Sequence, residues 1–224
     1  MKEKKLAARA TTNATKEDLS AKEPRESLSA KELKEDLIAS GSLCGTPALF
    51  FVLPEEGEEA TLDLSLEELL QKASLSTARY MVVKGGALLG QRDDVRLLLE
   101  GLSDLFRHTV VECDGKEEPK FEPNLYSLIL TPRGGCWPEE NIEKLHSAGR
   151  PMELKITIED EIDLRETLIA LSRHDVPRSS VFFLPAGSDR ETYLENAVYL
   201  KGECLKYGFR LGWRADLFLG ENDG

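Results

Sequence analysis

From residue 41 onward, apolar runs of strand length alternate with longer segments of helical pattern. Thr46 to Leu53, TPALFFVL, is rich in aromatics and bounded by Gly45 and Pro54, which predicts a buried strand. The acidic loop Glu55 to Glu59 leads into LSLEELLQKA, where Ser65 and Glu68 have the capping-box spacing of a short helix. Further strands are predicted at Tyr80 to Val83, Thr109 to Glu112, Tyr126 to Leu130, Met152 to Ile158, Val181 to Leu184 and Phe209 to Trp213. Helices are predicted at Asp93 to Phe106, Pro138 to Ser147, Leu164 to Arg173 and Arg190 to Tyr207. Such alternation implies parallel strands joined by crossover helices, in a doubly wound sheet or a full or partial barrel. In either, chemistry sits beyond the C-terminal strand ends. The residues to inspect are therefore Lys84-Gly85-Gly86, Glu112-Cys113-Asp114-Gly115, Thr131-Pro132-Arg133 and Pro185-Ala186-Gly187.

Residues 1 to 37 follow a different rule. A nine-residue repeat, KEDLSAKEP, RESLSAKEL, KEDLIAS, aligns Lys16, Arg25 and Lys34, and likewise Leu19, Leu28 and Leu37. One leucine in nine is too sparse for a coiled-coil seam. The segment reads as a charged N-terminal arm, disordered or loosely helical, ahead of a domain spanning 38–224. A docking role for it is the alternative to a solvated tail.

Composition narrows the function classes. The formal charge of −12 disfavours extended contact with nucleic-acid phosphates, which depends on Lys and Arg. No run approaches the roughly 18 apolar residues of a membrane span, and the first residues have no secretory h-region, so a cytoplasmic protein is expected. Cys44, Cys113, Cys136 and Cys204 lie far apart without CxxC spacing, the pattern of idle or buried thiols rather than of a metal finger.

Taken in order, the strand-end signatures resemble the radical S-adenosylmethionine enzymes, and most closely the 7-carboxy-7-deazaguanine synthases of the queuosine pathway. GSLCGTPALFFV, with Gly41, Gly45, Pro47, Phe50 and Val52, resembles the family's G-x-x-x-G-x-P-x-x-F-V segment. Gly85-Gly86-Ala87-Leu88 stands where the family has GGEP, Glu112-Cys113-Asp114-Gly115 where it has ETNG, and Thr131-Pro132-Arg133 where it has SPK. Glu153-Leu154-Lys155-Ile156-Thr157 matches the ELKFV strand, and Phe182-Phe183-Leu184-Pro185 the F-L-x-P strand end. Six signatures in order carry the resemblance.

Two departures limit what the resemblance implies. The family holds a [4Fe-4S] cluster on three cysteines straight after the first strand. Here that loop is PEEGEEATLDLS, without cysteine or histidine, so a cluster is not expected and the family's radical step has no electron source. Ala87 replaces the glutamate that would face the cofactor's ammonium, while the bare backbone of Gly85 and Gly86 still admits a ligand; a simple turn into a helix explains the glycines equally.

The resemblance implies S-adenosylmethionine as a possible cofactor, at Gly85, Gly86, Glu112, Thr131 and Arg133, with Gly45, Lys155 and Pro185 on the substrate side. Lys155 lies in the alternating strand ELKITIED, opposite in face to Leu154, Ile156 and Ile158. It is either a solvated strand lysine or an inward one that needs a partner such as Glu112. Arg133 keeps a positive charge at a strand end but not the geometry of a lysine. His108, His146 and His174 read as surface histidines at helix ends, where a cation suits the dipole.

The expected fold is α/β, a partial, incomplete TIM-like barrel of about six parallel strands with outer helices. The expected function is that of a cluster-less homologue acting as a binding or regulatory subunit, paired with an intact radical paralogue or a second copy, without nucleic acid or membrane. The alternative is a non-radical enzyme that keeps S-adenosylmethionine or a nucleoside or pterin-like ligand on the rim.

Overall fold

The structure is a computed structural model that describes residues 28–55, 57–85, 93–106, 108–116, 126–132, 137–138, 141–142 and 152–219. The strands are β1 (Leu28–Ala30), β2 (Glu32–Leu37), β3 (Pro47–Val52), β4 (Leu62–Leu64), β5 (Tyr80–Lys84), β6 (His108–Cys113), β7 (Ser127–Leu130), β8 (Met152–Ile158), β9 (Val181–Pro185) and β10 (Arg210–Leu211). The helices are α1 (Leu66–Ser74), α2 (Asp93–Ser103), α3 (Glu161–Leu171), α4 (Arg190–Tyr207) and α5 (Asp216–Leu219).

Within the described residues the main sheet runs β10-β9-β8-β7-β6-β5-β3-β2. Every pair is parallel except β2 with β3. The seven parallel strands stand in chain order, so the sheet never reverses direction as a doubly wound sheet must. Right-handed crossovers in one direction leave all helices on one face. The packing agrees: Met81, Val83, Val111, Leu154 and Ile156 share a core with the helix residues Leu69, Leu98, Leu102, Leu164 and Leu200. On the other face Ala48, Phe50, Val82, Val110 and Ile129 form a smaller cluster with Ile38 and Leu43 from the loop before β3.

That second face is concave. Laid flat, β3 and β8 would stand about 19 Å apart, at about 4.8 Å per strand. Yet Ser42, just before β3, donates its backbone N–H to Glu153 on β8. Ala215, past β10, donates to the carbonyl of Ala39 at 2.9 Å. The sheet therefore curls, and loop 38–46 fills the gap between its ends. Strand pairing does not close it; β2 and β10 remain edges, so the fold is an incomplete barrel.

The N-terminal arm ends earlier than its composition suggests. Residues 1–27 lie outside the described residues, but 28–37 form strands rather than a disordered or helical tail. β2 pairs antiparallel with all of β3, from Glu32 opposite Val52 to Leu37 opposite Pro47, and β1 pairs with β4. Backbone ladders and the burial of Leu28 and Ala30 hold a segment whose side chains alone read as solvated. Helix α3 also starts earlier than its leucines indicate, because Asp160 caps it by accepting from the N–H groups of Ile162 and Asp163. The helix expected at Pro138 to Ser147 lies mostly outside the described residues; Asn141 and Ile142 are helical and bond back to the Pro138 carbonyl.

Candidate functional site

Strand alternation decides what faces the concave side. On β8, Leu154, Ile156 and Ile158 enter the helix-side core, which turns Glu153, Lys155 and Thr157 inward. The Lys155 side chain is only 2% exposed, and its Nζ lies 3.5 Å from Glu112 Oε2 on β6, whose side chain is 26% exposed. Glu112 is level with Ile129 and Glu153 across the sheet, so the lysine reaches it diagonally over β7. A buried ammonium requires a counter-charge, and this pair supplies it. Of the two readings open for Lys155, the structure shows the inward one, with the partner named.

Loop 38–46 covers Glu153 and the Lys155 stem from the open side of the sheet, leaving Glu112 partly exposed. Gly41, at φ +86°, packs so closely that a Cβ there would lie 2.0 Å from Glu153 Oε1 and 2.7 Å from Lys155 Cε. Ser42 N–H meets both Glu153 oxygens, at 3.2 and 3.1 Å. Beside them Lys84 Nζ sits 5.3 Å from the centre of the Phe50 ring. The concave face thus carries a layer of charge over an apolar floor.

The remaining expected site residues take varied places. Gly85, at φ +88°, sits where a Cβ would come within 2.2 Å of the Leu53 carbonyl oxygen, so backbone approach alone requires glycine there. Thr131 aims both its N–H and its hydroxyl at the Cys113 carbonyl, at 2.8 and 3.2 Å. Pro185 is buried at the end of β9, opposite Ile158. Gly45 belongs to the other end of the strands, in the turn before β3, where its N–H donates to the Ile38 carbonyl at 2.8 Å. Gly86 and Arg133, together with Ala87, Cys136 and His146, lie outside the described residues. The structure therefore brings Glu112 and Lys155 together and leaves Gly45 at the opposite mouth.

Three thiols are described, on three separate elements. Cys44 is exposed in the loop before β3 and donates to the Ala39 carbonyl at 3.3 Å; Cys113 is buried at the end of β6. Cys204 is buried on α4, where burial pushes its thiol up to about 11. The loop after β3, Pro54 to Ser65, has no cysteine at all. An iron–sulfur cluster needs cysteine thiolates gathered around one point, and these residues do not fit one.

Two residue groups escaped the sequence reading. His108 is not at a helix end but opens β6, stacked on Tyr80 of β5 with centroids 5.2 Å apart. Around this pair a cavity of about 520 Å³ opens at the N-terminal ends of the strands, reaching Glu153 and Arg210. The stretches His108-Thr-Val and Tyr80-Met-Val signal strands, but only the curl of the sheet gathers their first residues into one mouth.

No family model matches the chain, and no curated protein matches it. Among solved structures, the crystal structure of QueE from Escherichia coli superposes with a TM-score of 0.60 at 18% sequence identity. The match covers 83% of this chain and 93% of that one. The likeness is one of fold: an α/β architecture with a mostly parallel central sheet and helices.

Proposed function

We propose that the chain is a cluster-less homologue of 7-carboxy-7-deazaguanine synthase that binds a ligand or partner instead of running radical chemistry. The carrying observation is the Glu112–Lys155 pair on the concave face of a QueE-like fold whose first loop has lost every thiolate. Strand-end signatures from Gly41 to Pro185 support a deazaguanine-related ancestry. The working assignment is a cytoplasmic binding or regulatory subunit, paired with an intact radical paralogue or with a second copy of itself. Among the described residues no helix is long and apolar enough to cross a membrane.

The ligand's place in this reading is the mouth above Glu112, whose carboxylate is partly exposed while Lys155 beneath it is not. Glu112 would accept hydrogen bonds from an amine or hydroxyl, and Lys155 would hold its carboxylate in place. The same exposure favours a second reading, a non-radical enzyme that retains S-adenosylmethionine or a nucleoside there. Two measurements separate these. Anaerobic reconstitution with iron and sulfide should give no brown absorbance; a stoichiometric cluster ends the cluster-less proposal. Calorimetry with S-adenosylmethionine and deazaguanine precursors should show binding that Glu112→Gln weakens, and turnover of either would replace the subunit reading with the enzymatic one.

A further inference from the structure

The cavity at the N-terminal mouth is not accounted for by the proposal above: neither Glu112 nor Lys155 lines it, although Ile129 and Glu153, level with Glu112 across the sheet, do. Its volume, about 520 Å³, is within the range of ligand pockets, roughly 300 to 1,000 Å³. In barrel folds that end normally serves stability and is filled by side chains. Here it is hollow and chemically differentiated.

One wall is aromatic. Tyr80 and His108 stand opposite each other on adjacent strands with their rings inclined by 24°, above the apolar floor of Val110 and Ile129. The two rings stack on each other, and a further planar ring can pack on the outer face of that stack or against its edges. The facing wall carries Arg210 on the edge strand β10, its guanidinium 4.2 Å from the Phe182 ring centre and bonded weakly to the Ser179 carbonyl at 3.4 Å. Most of its five N–H groups stay available for an acid. Glu153 lines the same cavity; it accepts one backbone N–H, that of Ser42, and keeps lone pairs for another donor. Among the described residues neither Arg210 nor Glu153 meets an opposite charge within ion-pair distance. Ser127 and Ser180 also line it.

We infer that this cavity binds a small aromatic zwitterion, a molecule of the aromatic amino acid class. Its ring lies against Tyr80 and His108, its carboxylate meets Arg210 and its ammonium meets Glu153. One cation and one carboxylate, each without an opposite charge within ion-pair distance among the described residues, match a ligand bearing both charges better than a simple anion, which Glu153 would repel.

The test is a titration of the full chain with L-tryptophan, tryptamine and indole-3-propionate, three probes that share a ring and differ in charge. Tryptophan should bind about tenfold more tightly than either analogue, the effect of one charge-assisted hydrogen bond. Arg210→Gln should erase the margin over tryptamine, and Glu153→Gln the margin over indole-3-propionate. Arg210→Lys, which keeps the charge without the fork, should retain part of it. The chain has three histidines, so the His108 ring resonance is identified by its loss in His108→Ala, and it should shift as tryptophan is added. Equal affinity for the three probes, margins that survive the substitutions, a stationary His108 resonance, or no binding at millimolar tryptophan would each overturn the assignment. Thermal melts of the variants confirm that they are folded. Because S-adenosylmethionine and deazaguanine binding are read at Glu112, failure of this titration leaves that proposal standing, and the reverse also holds.

Discussion

An ammonium with 2% of its side chain exposed depends on whatever carboxylate faces it, and the dependence is unequal. Removing Glu112 strands a buried charge, whereas removing Lys155 leaves a carboxylate that still touches solvent. Glu112→Gln should therefore destabilise the chain by about 3 kcal/mol, and Lys155→Met by about 1 kcal/mol or less, as read by urea unfolding. Equal costs would mean that the pair is solvated and has no hold on the interior. The alternation of ELKITI put Lys155 on the face opposite the leucine and isoleucines but left open whether that face was solvated or inward; its burial against Glu112 decides it. The contact of Ser42 with Glu153 was not legible, because it joins residues 111 positions apart and exists only through the curl of the sheet. Gly85 shows the converse: the glycine was legible, but its cause, the Leu53 carbonyl pressed against it, was not.

At the scale of elements, local chemistry was the better guide where it closes on itself. The capping box at α1 is complete, with Glu68 N–H donating to Ser65 Oγ at 3.1 Å and Ser65 N–H donating to the Glu68 carboxylate at 2.8 Å. Ser65→Ala should cost about 1 kcal/mol, the usual loss for an N-cap, and a melt unchanged from wild type would show α1 to be held by packing alone. The hydrogen bonds from Ser65 also draw the Glu68 carboxyl below its ordinary value, so the cap persists above that range and weakens as pH falls through it. β2 shows where local reading stops. Lys34 pairs with Glu32 and Asp36 two positions to either side, a spacing that suits a strand face and not a helix. Its charges guard an exposed sheet edge, a role visible only once β3 is placed beside it. A repeat of one leucine in nine carries no trace of that neighbour.

The whole molecule depends on how an open sheet keeps its curl, and Tyr193 is where that can be tested. Its side chain is fully buried on α4, donating to the Gly212 carbonyl and accepting from the Arg214 N–H, both at 3.1 Å. The rings of Trp213 and Phe218 pack against it. It thereby pins the segment after β10, whose Ala215 N–H reaches Ala39, and Ala39 leads into the Gly41 and Ser42 contacts on β8. Curl and seam are thus one chain of contacts, from α4 through the C-terminal segment to the loop before β3. Tyr193→Phe removes both hydrogen bonds and leaves a buried donor and acceptor unpaired, a cost of about 1 to 3 kcal/mol. The loss should be local before it is global: hydrogen exchange at the Ala215 amide should quicken well beyond that at Ile156 in the centre of the sheet. Burial also holds the phenol's pKa above its ordinary 10.0, so Tyr193 contributes stability below that pH that is lost as pH rises through the folded value. Phenylalanine cannot titrate, and the variant's stability should fall less steeply in alkali than that of the wild type. If the Ala215 and Ile156 amides quicken together, the seam is not a separate unit, and the curl must reside in the strands themselves.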